Sequence, residues 1–448
     1  MSAFRPIVMI AAAAALSACA SAPRVWPFGG DDSPSETAPA DGRISILSFE
    51  QKLEVDTALG GRTPYVPPPT DVAVWPQPGG PEDNAPAHAS MAGDFSIVAR
   101  RNVGQGSSSN ARISSPPVIA DGKVFILDAG QRLSAFPING GGRIWSRDLS
   151  PRRGRDKDAL GGGVAFADGR VFVTSGYGFA AALDATSGEE VWRTNTQAPI
   201  HAAPTVSGGR VFAVTNDSEL LALDATTGAV QWTHQAIAEP ARILSASSPA
   251  VKGDLVVAPF ASGEVVALLT ANGRRLWVDA LTRAGRLTSL SAINDIAGRP
   301  VALDGVVYAA SHSGILAAID QRSGQRLWAR GLASTQTPAI AGDALYIVTV
   351  DGELTALERT TGQAFWVTQL KRYRDEKDRK GRIAWTGPLL AGGKLVLASS
   401  EGDAVIVDPT TGAVDKTLNV GGPVYIAPVA AAGQVFLLSD EGKLVVIR

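Results

Sequence analysis

The chain has 448 residues and is nearly balanced in charge, with 41 lysines and arginines against 43 aspartates and glutamates. That balance excludes bulk attraction to nucleic acid, which needs a basic excess. Charged residues make up only 19%, while glycine fills 48 positions, a turn-rich composition that points to many short strands. The single cysteine excludes disulfides within the chain and any four-cysteine zinc or iron–sulfur centre.

The chain opens with Arg5 and an apolar run from Ile7 to Leu16. The run is too short to span a bilayer as a stable helix, but it suits a signal-peptide core. It ends in Leu16-Ser17-Ala18-Cys19, which resembles the lipobox of bacterial lipoproteins, where cleavage leaves the cysteine as the acylated first residue. The only cysteine stands at the one position this motif requires. Residues 1–18 are therefore expected to be a lipoprotein signal peptide and Cys19 the lipidation site. Lipoproteins of this kind that lack Asp after the cysteine usually travel to the outer membrane, and Ala20 stands there.

Residues 19–93 are rich in Pro, Ala, Ser and Gly, with Pro67-Pro68-Pro69 and Trp75-Pro76-Gln77-Pro78-Gly79-Gly80. Such a segment buries too little to offset its ordering entropy and is expected to be a lipid-anchored tether. Within it, Ile46, Leu47, Leu53 and Leu59 suit a short amphipathic helix over 44–59, either transient in a linker or a docking segment.

Beyond residue 110 the sequence repeats itself. One unit runs from Pro204 through Arg210-Val211-Phe212-Ala213-Val214 and Glu219-Leu220-Leu221-Ala222-Leu223-Asp224 to Gly228 and Trp232. The same order returns over 163–192, 249–277, 300–328 and 338–366. It is less regular over 117–145 and over 388–416, where Lys416 takes the tryptophan position. A last copy, 428–448, stops after its third apolar run. Trp145, Trp192, Trp232, Trp277, Trp328 and Trp366 recur about every 44 residues. Each unit holds four short apolar runs. Turns such as Asp121-Gly122, Asp168-Gly169 and Asp304-Gly305 follow the first, and Asp184-x-x-x-Gly188, Asp224-x-x-x-Gly228, Asp320-x-x-x-Gly324 and Asp408-x-x-x-Gly412 follow the third. Glycine supplies the positive φ these turns need, and Asp bonds its own backbone. Four strands per unit of this length make a propeller blade. The run from Phe95 to Val103 supplies the fourth strand that the last copy lacks. The expected fold is all-β: an eight-bladed β-propeller over 94–448 with four-stranded antiparallel blades, its ring closed by an N-terminal strand.

In such blades the first-to-second and third-to-fourth turns share one face of the disc. The second-to-third turns and the crossovers between blades share the other. The first face carries the uniform turns, and the second carries irregular crossovers, including 233–247 and 278–298. Irregular loops on a uniform scaffold are where recognition usually sits. Two more crossovers are strongly charged: 371–382, with seven basic and three acidic residues, and 152–157, with four basic and one acidic. Arg152, Arg153, Lys371, Arg372 and Arg374 are candidates for contact with anionic lipid or an acidic partner, against the commoner reading of a solvated loop.

The repeats resemble the quinoprotein-type, PQQ-like propeller repeat. Together with the lipobox, the whole chain resembles the BamB family, lipoprotein subunits of the outer-membrane β-barrel assembly (BAM) machinery. That resemblance implies a non-catalytic scaffold that binds periplasmic domains of BamA and other subunits and aids insertion of outer-membrane proteins. Nascent outer-membrane proteins are a further partner class. The implied location is the outer membrane, lipid-anchored and facing the periplasm. The resemblance also places partner contacts in crossovers 233–247 and 278–298. An acidic residue before the proline of unit five matches Asp295, beside Asn294; an apolar, arginine-bearing stretch aligns loosely with Arg242, Ile243 and Leu244. A second acidic residue expected two positions after Asp295 is Ala297, and the arginine is shifted relative to its apolar neighbours.

PQQ-dependent dehydrogenases, the alternative, use eight-bladed propellers with related repeats, a calcium ion and, in many, a vicinal disulfide that one cysteine cannot make. His88, His201, His234 and His312 are scattered, with no HExxH spacing, and no G-x-S-x-G elbow occurs. The expectation is no catalytic residue, no metal and no cofactor. A glycan-binding propeller would want exposed aromatics on the crossover face, where only Tyr373 and Trp385 qualify.

Overall fold

In the computed structural model, residues 53–151, 160–238, 247–282 and 295–448 are described. Eight four-stranded antiparallel sheets follow one another around a ring. Blade 3 is representative: Thr205–Ser207, Arg210–Val214, Glu219–Asp224 and Val230–Gln235, paired in that order. Its second and third strands are buried on both faces, because each blade is sandwiched between two others. The outermost strand at the rim is largely exposed. This explains why the inner strands are dominated by Val, Leu, Ala and Phe, while the fourth mixes polar residues with its tryptophan and an exposed valine, Val230.

The eighth blade draws three strands from the C-terminus, Val429–Ala431, Gln434–Leu438 and Lys443–Ile447, and its outer strand, Ile97–Asn102, from near the start. Asn102 pairs with Lys443, and Ile97 with Ile447. The ring closes as the repeat count requires.

Neighbouring blades are joined by one recurring contact. The Trp Nε1–H of each of the first six blades donates to a carbonyl in the next blade's third turn. The six acceptors are Ala185, Ala225, Thr270, Gln321, Arg359 and Pro409, at 2.9–3.1 Å. The indole lies on that turn's glycine so closely that a Cβ on Gly228 would sit 2.5 Å from Trp192 Cε3. Lys416, at the tryptophan position of blade 7, donates to the Asp94 carbonyl at 3.1 Å. Arg101 of the closing strand donates to Pro137 of blade 1 at 3.2 Å. In the same turns Asp224 Oδ1 accepts the Thr226 and Thr227 N–H groups at 2.9 Å each, which, with the Thr227 hydroxyl, holds its carboxyl below the usual range. Asp184 and Asp320 are lowered by the same donors. For Asp408, burial acts upward, but the Thr410 hydroxyl, Lys394 and two backbone N–H groups outweigh it.

The tether expected over 19–93 is corrected for its second part, because residues 53–93 lie packed on the propeller. Of the helix expected over 44–59, residues 44–52 lie outside the described part, and within 53–59 Asp56 caps a single 3-10 turn, Thr57–Leu59. Leu59 is buried against blade 6. Tyr65 N–H bonds Asp343 at 2.7 Å in that blade. Trp75 then exchanges two backbone hydrogen bonds with Ile119 of blade 1, and Pro76 accepts from Phe166 of blade 2. The Gln77 side chain both donates to and accepts from Val206 of blade 3. Glu82 and Asp83 accept from Val251 of blade 4 and Ala302 of blade 5. His88 donates from Nδ1 to Pro67 and accepts at Nε2 from Gly393 of blade 7, while Ala92 bonds Gly433 of blade 8. Nine residues, 75–83, that reach five blades must lie at the axis, where the blades converge. The segment caps the inner strands on the face of the uniform turns. Its own composition offered too little to bury; what holds it is a row of backbone groups at the inner strand ends, which would otherwise be unpaired.

Three outcomes follow from these contacts. Gly228→Ala is expected to lower stability by about 1–3 kcal/mol in chemical denaturation, combining the positive φ with the Trp192 clash. Gly208→Ala, at a positive φ with nothing within 4 Å, should cost less. The four turn aspartates have folded pKa values below their unfolded ones, so their contribution is present above about pH 4 and is lost as pH falls further. Melting curves should show that loss, and Asn at all four positions should flatten it. Removing residues 1–52 should leave the melting temperature nearly unchanged, whereas removing 1–93 should lower it markedly.

Candidate functional site: the crossover face

With one face capped by the chain itself, the crossovers and second-to-third turns form the free one. The crossovers bond back onto those turns: Leu149 to Gln131, Ala236 to Ser218, Leu281 to Gly263 and Leu370 to Gly352, all backbone to backbone. This fixes the root of each crossover while leaving its tip to vary.

Asp295 is the one residue of the proposed partner patch inside the described part, and it is not a surface carboxylate. It is only 6% exposed, and its carbonyl accepts the His312 N–H at 3.0 Å. It anchors the entry to blade 5, so direct contact through its side chain is not what its position favours. Arg242, Ile243, Leu244, Asn294, Arg152, Arg153 and Cys19 lie outside the described residues.

The basic crossover 371–382 folds as a small hairpin, Tyr373–Asp375 with Lys380–Arg382. Its charge is partly answered at home. Arg372 and Arg382 both engage Asp351, and Arg374 forms a two-pronged pair with Glu401 at 2.8 Å. Exposed Lys371 offers its carbonyl to Trp385 Nε1 at 2.9 Å. Trp385 is buried at 9% and Tyr373 is half-buried, which removes the exposed aromatic pair that a glycan-binding surface would use.

At the axis this face opens into a cavity of about 530 Å³ contributed by blades 1, 5, 6, 7 and 8. Arg112, Arg299, Gln336, Trp385 and Tyr425 line it. Gln336 Oε1 accepts from Thr386 Oγ1 at 3.1 Å, and Thr337 Oγ1 takes the Arg299 backbone N–H at 3.1 Å. Arg112 pairs with Asp440 at 3.6 Å. Sequence reasoning passed over this mouth, yet a signal was there. The residue before the opening proline is Pro116, Ala203, Ser248, Thr337, Gly387 or Ala427 in six units, and arginine only at 299.

No group of three or more His, Cys, Asp or Glu side chains suited to a metal occurs among the described residues. His201 shares a 2.7 Å hydrogen bond with Asn216, and burial lowers the His88 pKa, so both histidines serve the scaffold.

Residues 129–368 match the family model described as outer membrane protein assembly factor BamB. The protein of that name from Salmonella typhimurium is 31% identical over 335 residues, 74% of this chain and 83% of its own length. The crystal structure of BamB from Moraxella catarrhalis superposes with a TM-score of 0.67 at 23% identity, covering 79% of this chain and all of that one. A europium-containing methanol dehydrogenase also reaches 0.67, at 12% identity, over 84% of this chain and 98% of its own; that likeness is one of fold.

Proposed function

The chain belongs to the outer membrane protein assembly factor BamB family, and from that membership we propose that it is a non-catalytic scaffold of outer-membrane protein assembly. It binds periplasmic domains of BamA and companion subunits and aids insertion of β-barrel proteins. The observation that carries the reading is the division of faces. The uniform face is occupied by residues 53–93, so the variable crossovers 233–247 and 278–298 are the surface left for a partner. Anchored through acylated Cys19, the propeller hangs in the periplasm from the outer membrane. The linking chain meets the turn face at blades 5 and 6, where Asp56 bonds Ala364 and lies 3.5 Å from Arg330.

Tagged full chain, extracted in mild detergent, should recover BamA by mass spectrometry, and Cys19→Ala should shift the protein out of the membrane fraction. Arg242→Glu with Leu244→Glu should abolish BamA recovery without moving the melting temperature. Asp295→Arg is unsuitable for this purpose, since a charge change in a buried position should lower that temperature. Failure to recover BamA, with quinone or calcium bound instead, would replace the scaffold reading by the dehydrogenase one.

A further inference from the structure

The axial mouth holds a cation without an answering charge. Arg299 lines the cavity, its Nε is fully buried without a hydrogen-bond partner, and no carboxylate among the described residues pairs with its guanidinium. Burial alone pushes its pKa down to about 10. The residue as a whole is partly exposed, so the charge that its desolvated Nε cannot share with the described fold is left for water or a ligand in the cavity to answer. Below it the channel is stopped by the chain's own segment: Asn84 Nδ2 donates to the carbonyl of Pro300, the next residue, at 2.9 Å. The chain's own segment thus crosses the turn-face side of this position, and the described lining of the cavity belongs to the crossover side.

The walls define what fits. Ile113, Val424 and Ile426 are apolar, Trp385 presents an aromatic edge, and Tyr425 stands 52% exposed at the mouth. Arg112 is neutralised by Asp440, leaving one net positive charge at Arg299. A single planar guanidinium matches a carboxylate, which carries one charge and accepts two parallel N–H bonds. A phosphate would bring more charge than the site answers, and the apolar walls would give it nothing. The volume lies within the range of pockets that take small organic ligands.

We propose that the axial mouth is a binding site for an organic carboxylate, with Arg299 holding the carboxylate and Tyr425, Ile426 and Trp385 covering an apolar or aromatic body. The carboxylate belongs either to a free organic acid or to the C-terminus of an extended peptide. Both present the same group to Arg299.

The test uses the full chain carrying Cys19→Ser, purified without detergent, and calorimetric titration with four probes. These are 4-phenylbutyrate, 4-phenylbutyramide, and the tripeptide Ala-Ala-Phe with a free or an amidated C-terminus. At least one acid should bind while its amide does not, and the same acid should raise the melting temperature. Arg299→Gln should weaken that binding about tenfold or more, the scale of a charged hydrogen-bond pair, and Arg299→Lys should restore part of it. Tyr425→Ala, at an exposed position, should weaken the aromatic probes and leave the melting temperature of the free protein unchanged. Tighter binding of the tripeptide than of 4-phenylbutyrate assigns the peptide source, and the reverse assigns the small acid. Equal affinity for acid and amide in both pairs overturns the proposal. So does undiminished binding in a folded Arg299→Gln variant.

Discussion

The ring depends on one contact, made by a tryptophan with the turn of the blade that follows it. The indole N–H needs an acceptor once buried, and a carbonyl of the next blade's third turn, an Asp-x-x-x-Gly turn in four of the six junctions, provides it. The same glycine that gives the turn its positive φ lets the indole lie flat on the backbone. Burying such a side chain removes on the order of 150–250 Å² from water, about 4–6 kcal/mol before ordering entropy. Aspartate, glycine and tryptophan recur together because they are three parts of one joint between blades.

Where the joint changes, its chemistry is replaced rather than lost. Lys416 reaches the Asp94 carbonyl and Arg101 reaches that of Pro137, so the two junctions around the closing blade are long cationic donors in place of indoles. Residues 53–102 therefore finish the fold three times over: as the outer strand of blade 8, as acceptor for blade 7, and as the cap on the inner strands. An N-terminal segment with these duties can order only on a ring that is already nearly complete.

The propeller was legible in the sequence because its signals are local and repeated: turn pairs, a third-strand Asp-to-Gly spacing, and a tryptophan at the rim of six of the eight blades. The closing strand was legible by count, since eight copies left one strand short. The cap was not. Residues 53–93 are rich in Pro and Gly and lack a periodic apolar face, so their composition reads as linker. What orders them is the set of free N–H and carbonyl groups at the inner ends of distant strands, and no local pattern announces those. Asp295 misled for a related reason. An acidic residue in a crossover reads as surface, yet the crossover's root folds under blade 5 and buries it.

The two faces also explain where variation is allowed. On the turn face every blade must offer a similar inner edge, because one segment with no repeat of its own bonds all eight. The crossover face bears no such constraint, and its differences are large: a paired hairpin after blade 6, tightly returned roots elsewhere, and arginine at one axial position where six units carry a small residue or proline. Packing does not ask for that arginine, since its Nε takes no hydrogen-bond partner among the described residues. Its position, in the wall of the axial cavity, is where a group brought from outside would meet the protein.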